Sequence, residues 1–323
     1  MSVTVEDGGI LTTVQDMGRT GFRHLGMPVC GAMDPLAARV ANLVLSNTPS
    51  APLLEYTLVG PTLLFNADTV ICLTGAEVNA TLNNQPVGYY QPIVVQTGQT
   101  LKIGQVRQGC RGYLALKGGL HADSLMGSAS TYLRAGIGGH QGRSLTAGDN
   151  LSFTPCRLST AISMDWSPDH DLMHDPTPRP VRVLPTQLTE SFSDEGWQRF
   201  FSQPFVIDKA SDRMGYRLTG STILWRDRIE QLTQGVTVGT VQVPRDGHPI
   251  ILMADSQPTG GYPMMGQVIR VDIPRLAQMK PGDSLNFEPV DLPWAQSLLI
   301  EQEQNLQRFS IAAAYKWKDV IYA

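Results

Sequence analysis

A short polar cluster near the N-terminus holds the first residues that could do chemistry. Gln15, Asp16 and Arg19 lie close together beside glycines, which let a backbone approach a ligand. The carboxylate could hold a metal or orient a nucleophile, and the guanidinium and amide could bind an anion. An Asp–Arg pair that only fixes the loop is the alternative. Glu55 is a further candidate, because a carboxylate inside the apolar run LLEYTL is unfavourable unless it is paired.

A second cluster, SDRMGYR (211–217), places two arginines beside a tyrosine. Arg213 and Arg217 flank Tyr216, and arginine forks suit carboxylate or phosphate groups. The alternative is a surface network between an arginine and Asp212. The cluster therefore predicts either an anion site or a charged surface.

A third cluster follows an apolar strand pattern, IILMA, and opens a glycine-containing loop. Asp255 begins this loop, Gln257 and Tyr262 lie within it, and Gln242 precedes it. A carboxylate at a strand end beside loop amides is a common site arrangement. Asp255 could instead be a turn residue that accepts local N–H bonds. Pro258 removes one backbone donor from the loop and stiffens it.

We expect the three clusters to converge in one cleft between two lobes, because each alone offers too few charges to activate a small anion. The predicted catalytic residues are Asp16, Arg217 and Asp255. The predicted substrate-binding residues are Gln15, Arg19, Glu55, Arg213, Tyr216, Gln242, Gln257 and Tyr262. The sequence shows no metal-ligand cluster.

Composition restricts the class of protein. The chain has 323 residues, 42% of them hydrophobic and 17% charged, and a net charge of −4. These values predict a folded core and exclude a strongly basic nucleic-acid binder. The N-terminus lacks the pattern of a signal peptide, and no apolar run reaches the roughly 18 residues that span a bilayer. The four cysteines form no CxxC pair. We expect a cytoplasmic protein with no membrane or nucleic-acid partner.

The elements that must position these residues are mostly strands. Short apolar runs rich in Val, Ile and Thr alternate with turns, and the chain contains 31 glycines and 22 prolines. This pattern is typical of antiparallel β-structure. Three segments have helical periodicity instead: 34–47, 193–201 and 293–309. Asp34 is a candidate N-cap of the first helix.

A stretch rich in proline and aspartate separates two β-rich regions. We predict a first barrel lobe at 1–155, a linker at 156–180, a second barrel lobe at 181–290, and a C-terminal helix and tail at 291–323. LTAGDNLSF (145–153) in the first region resembles MKPGDSLNF (279–287) in the second, so the lobes could be related by duplication.

Seven longer motifs are specific enough to suggest a family. They are TTVQDMGRTGFRHLGMP (12–28), CGAMD (30–34), LLEYTLVGP (53–61), GYLALKGGL (112–120), GSAST (127–131), SDRMGYRLTG (211–220) and VQVPRDGHPIILMADSQPTGGYP (241–263). Together they resemble the biotin-dependent carboxyltransferase-like family, also called the allophanate hydrolase subunit 2 family. The resemblance implies a mainly β fold of two cyclophilin-like β-barrel lobes with a few short helices.

The resemblance also implies an activity. It points to one component of an ATP-dependent 5-oxoprolinase, which converts 5-oxo-L-proline to L-glutamate and also contains a B subunit and an A subunit. ATP, with or without Mg²⁺, would bind on this chain or at a site shared with a partner, because the sequence has no P-loop. Two alternatives remain open. One is carboxyl transfer from carboxybiotin to urea or a related amide, and the other is a non-catalytic partner of a kinase inhibitor similar to the B subunit.

Overall fold

The computed structural model describes residues 1–156, 166–173, 177–186, 191–226 and 232–321. Contacts divide the chain into two compact units that are interleaved along the sequence. Unit 1 comprises Met1–Arg19, Cys30–Pro176 and Gln302–Ala323, and unit 2 comprises Thr20–Val29 and Thr177–Glu301. The predicted boundaries stay predictions, and much of the predicted linker lies outside the described residues.

Among the described residues, unit 1 forms a ten-stranded antiparallel sheet. Its central path runs β2–β3–β8–β4–β1–β10–β9, and β5 pairs with β6, β7 and β8. The strands are β1 (Ser2–Asp7), β2 (Leu11–Gln15), β3 (Leu53–Thr57), β4 (Thr62–Phe65), β5 (Thr69–Leu82), β6 (Gln85–Pro86), β7 (Ile93–Val95), β8 (Thr100–Leu116), β9 (Leu120–His121) and β10 (Asn150–Phe153).

Side-chain alternation and bulges shape this sheet into a barrel-like form. In β1, Val3 and Val5 are fully buried while Thr4 between them is partly exposed, as expected for a strand covered on one face. The long strands β5 and β8 pair with register shifts between Gly75 and Ala80, and such bulges bend a sheet. Gly112 on β8 must be glycine, because a Cβ there would lie 2.1 Å from the Tyr56 ring.

The first predicted helix is confirmed as α1 (Pro35–Val44). The Asp34 carboxylate accepts a hydrogen bond of 2.9 Å from the Ala37 N–H, and Pro35 occupies the first turn, where its missing N–H is not needed. Val40 and Val44 on the buried face pack into a second core cluster of unit 1. The capping carboxylate and the apolar stripe therefore fix both the start and the orientation of α1.

Unit 2 forms an eight-stranded sheet in the order β19–β12–β13–β16–β15–β18–β11–β20, and β14 pairs separately with β17. The β11–β20 pair is parallel, and the remaining pairs are antiparallel. The strands are β11 (Val181–Pro185), β12 (Phe205–Ile207), β13 (Gly215–Gly220), β14 (Gln234–Gly235), β15 (Thr240–Gln242), β16 (Ile250–Leu252), β17 (Thr259–Gly260), β18 (Met264–Val268), β19 (Ser284–Leu285) and β20 (Phe287–Pro289).

Three further helices complete the described chain: α2 (Asp194–Ser202), α3 (Ile273–Ala277) and α4 (Leu292–Ile321). The prediction of α2 is confirmed, and Ser193 caps it by accepting the Gly196 N–H at 3.0 Å. The last helix is longer than predicted, because it continues from Phe309 to Ile321. Alanines at 312–314 favour this extension, and Trp317 is buried against unit 1 with its Nε1 donating to the Val44 carbonyl at 2.9 Å.

The related GD turns of the two units have the same conformation. Gly148 and Gly282 both have positive φ, at 94° and 91°. An aspartate follows each glycine, and its carboxylate accepts a hydrogen bond from a backbone N–H three residues earlier. Thr146 donates to Asp149, and Lys280 donates to Asp283. The sequence similarity therefore reflects a shared turn that leads into a strand.

The predicted fold class is confirmed: the structure is mainly β, with two barrel-like sheets and few helices. The length of α4 is the main difference from the expected short helices. None of the described helices is both long and apolar enough to cross a membrane.

Candidate functional site

Asp16 lies just after β2, and its carboxylate is surrounded by donors from the GSAST segment. It accepts hydrogen bonds from Ser128 Oγ at 2.6 Å, the Ala129 N–H at 2.6 Å and Ser130 Oγ at 2.5 Å. The Gly18 N–H donates to the same carboxylate at 2.8 Å. Asp16 is buried, so these protein donors replace water around its charge. The arrangement fixes the 128–130 segment against the end of β2.

Arg19 is fully buried three residues later. Its Nη2 donates to the Ser130 carbonyl oxygen, while Nε and Nη1 have no hydrogen-bond partner among the described residues. The Asp16–Arg19 ion pair that the sequence left open is not formed, because the Asp16 oxygens bond to other groups. Gly138 packs against the guanidinium, and a Cβ at that glycine would lie 3.1 Å from Nη2.

Gln15 is also fully buried and contacts the same stretch of chain. Its Nε2 donates to Thr13 Oγ1 at 3.0 Å and to the Thr131 carbonyl at 3.2 Å. Its Oε1 has no hydrogen-bond partner in the part of the chain that the structure describes. The structure therefore brings Gln15, Asp16 and Arg19 together around residues 128–131.

Glu55 belongs to a different network of unit 1. Its Oε2 accepts hydrogen bonds of 2.8 Å from the Met33 N–H and from the Tyr113 hydroxyl, and the same hydroxyl accepts the Asp34 N–H at 2.8 Å. Burial, followed by the nearby Glu55 and Asp34 charges, raises the pKa of Tyr113 well above its usual value. Glu55 thus holds the chain that leads into α1.

In unit 2, Arg213 and Asp255 form a buried side-on ion pair. Arg213 Nε donates to Asp255 Oδ2 and Nη2 donates to Oδ1, both at 2.9 Å. The side chains are 8% and 6% exposed. The Asp255 N–H also donates to the Arg213 carbonyl at 2.8 Å, so the two residues are joined through both backbone and side chains.

Tyr216 and Arg217 point to opposite faces of β13. Tyr216 is buried, and its hydroxyl donates to the Met279 carbonyl at 3.2 Å. Arg217 is exposed, and its guanidinium makes no hydrogen bond or ion pair with the part of the chain that the structure describes. Its backbone N–H is held by Ser211 Oγ at 3.0 Å. Arg217 therefore has a backbone N–H that is held in place and a cationic side chain that is unpaired among the described residues.

The remaining predicted residues differ in burial. Gln242 is buried, its Nε2 lacks a hydrogen-bond partner among the described residues, and a Cβ at Gly260 would lie 2.5 Å from that nitrogen. Gln257 and Tyr262 are exposed on the loop that Asp255 opens. The glycine therefore lets the loop pass close to the Gln242 amide.

Sequence reasoning assigned no role to two sets of residues that the structure places beside the candidates. Arg23 Nη2 donates to the Pro258 carbonyl at 3.0 Å within unit 2, and Pro258 thereby contributes an acceptor to the stiffened loop. Ser128 and Ser130 hold Asp16. All four residues lie within the quoted motifs, and that position is the only sequence signal that could have pointed to them.

The single cleft that would join the clusters of the two units stays a prediction. Within the described ranges, no three His, Cys, Asp or Glu side chains are grouped so that they could hold a metal ion. Among the described residues, the arginine candidates are of three kinds. Arg19 is a buried cation without a counter-charge, Arg213 and Asp255 form a buried ion pair, and Arg217 is an exposed cation.

The chain is similar to proteins of known family and structure. The family model for the carboxyltransferase domain, subdomain A and B, matches residues 25–289. The chain is 39% identical to the C subunit of 5-oxoprolinase from Haemophilus influenzae over 292 residues, covering 90% of this chain and 92% of the relative. It is 38% identical to the C subunit of 5-oxoprolinase from Escherichia coli, covering 95% and 96%.

A solved structure with a similar fold is the urea amidolyase of K. lactis. The TM-score is 0.89 at 30% sequence identity, and the match covers 95% of this chain. The chain spans only 20% of the length of that urea amidolyase. The likeness therefore concerns one portion of a much longer protein.

Proposed function

Because the chain belongs to the carboxyltransferase domain, subdomain A and B, family, we propose that it is one component of an ATP-dependent 5-oxoprolinase. The reaction converts 5-oxo-L-proline, ATP and water to L-glutamate, ADP and phosphate. The observation that carries the proposal is the similarity to the C subunit of 5-oxoprolinase over nearly the full length of both chains. A urea amidolyase match over a fifth of that protein supports the family but carries less about activity.

The chemistry makes defined demands on the site. Opening a stable lactam needs coupling to ATP, and phosphorylation of the amide oxygen turns it into a good leaving group. A site for this reaction must bind the substrate anion and stabilise charge on the transferring phosphoryl group. Arg19, Arg213 and Arg217 supply positive charge in three different environments.

We assign the chemical roles to unit 2. Arg217 has an exposed guanidinium, unpaired among the described residues, that can meet an entering phosphoryl group. Asp255 is held in one orientation by Arg213, and each of its oxygens retains a further lone pair that can accept a proton from an attacking water. Tyr216, Gln242, Gln257 and Tyr262 are the accompanying substrate contacts in this proposal.

Asp16 takes a different role from the catalytic one expected from the sequence. Four protein donors bond to its carboxylate, three of them to Oδ1, so we assign it to positioning Ser128–Ser130 and, through the Ser130 carbonyl, Arg19. Glu55 likewise bonds to Met33 and Tyr113. These engaged carboxylates do not fit a Mg²⁺ site on the described part of this chain.

Partners follow from the same similarity. The relatives are named as the C subunit of 5-oxoprolinase, so we propose that this chain assembles with a B subunit and an A subunit. The sequence has no self-contained nucleotide motif, so we propose that ATP binds at a site that this chain shares with a partner in the cytoplasm. The isolated chain should therefore be nearly inactive.

Reconstitution tests this proposal. The purified chain is combined with candidate A and B subunits, and glutamate and ADP are measured in the same reaction with 5-oxo-L-proline. Equal amounts of both products, formed only when this chain is present, support the function. Robust glutamate release by the single chain would contradict its role as one component of a complex, and ATP hydrolysis without glutamate would contradict the reaction.

The second candidate is carboxyl transfer from carboxybiotin to urea or a related amide. The TM-score of 0.89 to urea amidolyase favours it. It requires biotin on another protein, because this chain has no biotinyl-lysine motif. Co-purification with a biotinylated partner, and carboxylation of urea by that mixture, would replace the first proposal with this one.

A further inference from the structure

Arg19 differs from the other two candidate arginines in its burial and in its lack of an ion-pair partner among the described residues. Arg213 is neutralised by Asp255, and Arg217 is exposed. Arg19 is fully buried and forms no ion pair with any described residue. Burying an unpaired charge is strongly unfavourable. An anion that binds beside the guanidinium would offset this free-energy cost.

The donors of Arg19 are largely unused. A guanidinium carries five N–H bonds, and within the described chain this one makes a single hydrogen bond, from Nη2 to the Ser130 carbonyl. Nη1 and the second N–H of Nη2 form the end-on edge, which matches the two oxygens of a carboxylate. Asp16 cannot serve as that carboxylate, since Gly18 and the 128–130 segment surround its oxygens.

Gln15 provides a second, independent observation on the same stretch. Its Oε1 is a fully buried acceptor without a donor among the described residues, while its Nε2 is anchored to the Thr131 carbonyl, next to the Ser130 carbonyl that holds Arg19. A ligand that binds both residues must offer an anionic acceptor such as a carboxylate to Arg19 and an N–H group to Gln15 Oε1. In 5-oxoproline the lactam N–H and the carboxylate are attached to the same carbon atom.

We propose that Arg19 binds the carboxylate of the substrate and that Gln15 Oε1 accepts its lactam N–H. This inference rests on the proposed function, and it assigns the recognition of the substrate's carboxylate and lactam N–H to unit 1. Gly138 contributes by its lack of a side chain: a Cβ there would lie 2.2 Å from the Ser130 oxygen and close to Arg19. The backbone can therefore pack on the guanidinium and exclude water, which strengthens its attraction for an anion.

The test compares two lactams in the reconstituted complex. 5-Oxo-L-proline carries the carboxylate, and 2-pyrrolidinone is the same ring without it. Arg19→Met should raise the KM for 5-oxo-L-proline at least about 30-fold, the size expected when one partner of a buried charge pair is removed. It should also abolish the preference for 5-oxo-L-proline over 2-pyrrolidinone. Arg134→Met, an exposed arginine of the same unit, should change neither by more than about twofold.

Two further variants keep the outcome decisive. Arg19→Lys retains the charge but loses the planar fork, so it should give an intermediate KM and replaces Arg19→Met if that variant does not fold. Gln15→Leu should raise KM and leave kcat largely unchanged, because the lost bond is present in the bound substrate as well as in the transition state. Wild-type KM values in the Arg19 variants would overturn the inference while leaving the proposed function intact.

A binding experiment separates the two proposals. If the wild-type complex does not hydrolyse 5-oxo-L-proline, the proposed function fails, and thermal melting of the full chain decides the inference. Acetate should raise the melting temperature of the wild-type chain and of Arg134→Met, but not of Arg19→Met. Stabilisation by phosphate and not by acetate, or equal stabilisation of all three chains, would overturn the assignment of a carboxylate to Arg19.

Discussion

The Arg213 guanidinium and the Asp255 carboxylate face each other through two hydrogen bonds of 2.9 Å, with both side chains more than nine-tenths buried. This pairing joins the SDRMGYR segment to the loop after β16. It also means that the two residues cannot be judged separately, because the loss of either one removes the buried counter-charge that faces the other.

Asp255→Ala should therefore reduce stability as well as activity. We expect the free energy of unfolding to fall by about 3–5 kcal/mol, the range for removing one partner of a buried ion pair. Urea denaturation followed by circular dichroism measures this change. Glu301→Ala, an exposed carboxylate of the same unit, should stay within about 0.5 kcal/mol of wild type.

The double variant Arg213→Met/Asp255→Leu provides the counterpart. Apolar groups of similar volume often replace a buried ion pair without loss, so this variant should recover most of the stability that Asp255→Ala loses. It should remain inactive in the reconstituted complex. An additive loss of stability in the double variant would show that the two side chains do not act as a pair.

Arg217→Ala should have the opposite profile, with a large effect on activity and little on stability. The side chain is exposed and unpaired among the described residues, so the free energy of unfolding should change by less than about 0.5 kcal/mol. Loss of a charge that acts in the transition state should lower turnover about 10²–10³-fold. Lys209→Ala, a nearby exposed cation, serves as the control. Turnover within about threefold of wild type would remove Arg217 from the mechanism.

Stability should fall at high pH because of buried tyrosines. Burial raises the pKa of Tyr56 and Tyr113 well above the usual value and raises the pKa of Tyr89 to about 12. The unfolded chain releases these protons near pH 10 and the folded chain keeps them. Their contribution is therefore complete below about pH 10 and is lost as pH rises towards the folded-state values.

Each such tyrosine should lower the free energy of unfolding by about 1.4 kcal/mol per pH unit above pH 10, until the folded protein itself ionises. Chemical denaturation at a series of pH values gives the slope, and tyrosinate absorbance reports the ionisation. Tyr113→Phe should reduce the slope by the share of one tyrosine. An unchanged slope would mean that Tyr113 ionises equally in both states.

Trp317 should be the main anchor of the C-terminal part of α4. It is buried, its Nε1 bonds to the Val44 carbonyl, and Lys117 Nζ lies 4.1 Å from its ring centroid. Trp317→Ala should lower the free energy of unfolding by about 3–5 kcal/mol. Tyr315→Ala on the same helix, where the side chain is 69% exposed, should have little effect in the same denaturation experiment.

Local patterns predicted the parts of the fold that local forces determine. The Asp34 cap is a signal within four residues, and the apolar stripe of α1 follows the period of a helix. The structure confirms both. The end of α4 was predicted too early, since the burial of Trp317 depends on Val44 of α1 and on Lys117, just after β8, which are far away in the sequence. Hydrophobic periodicity up to Phe309 contains no information about that contact.

The candidate site shows the same division. Residue types and spacing predict that Gln15, Asp16 and Arg19 act together, and the structure places them around one segment, residues 128–131. The sequence did not reveal that Asp16 bonds to Ser128 and Ser130, more than 110 residues away, or that this leaves Arg19 without a counter-charge among the described residues. Burial and pairing are tertiary properties, so the residue types of a short motif do not determine them.

The interleaving of the two units has a consequence for synthesis. The chain passes between units after Arg19, Val29, Pro176 and Glu301. During translation, unit 1 cannot reach its final form when its strands leave the ribosome, because the helix segment that carries Trp317 is made only after the unit 2 segment Thr177–Glu301. A fragment that ends near residue 176 would lack the ring that packs beside Val44 and Lys117. The order of synthesis thus makes the completion of the first unit a late event.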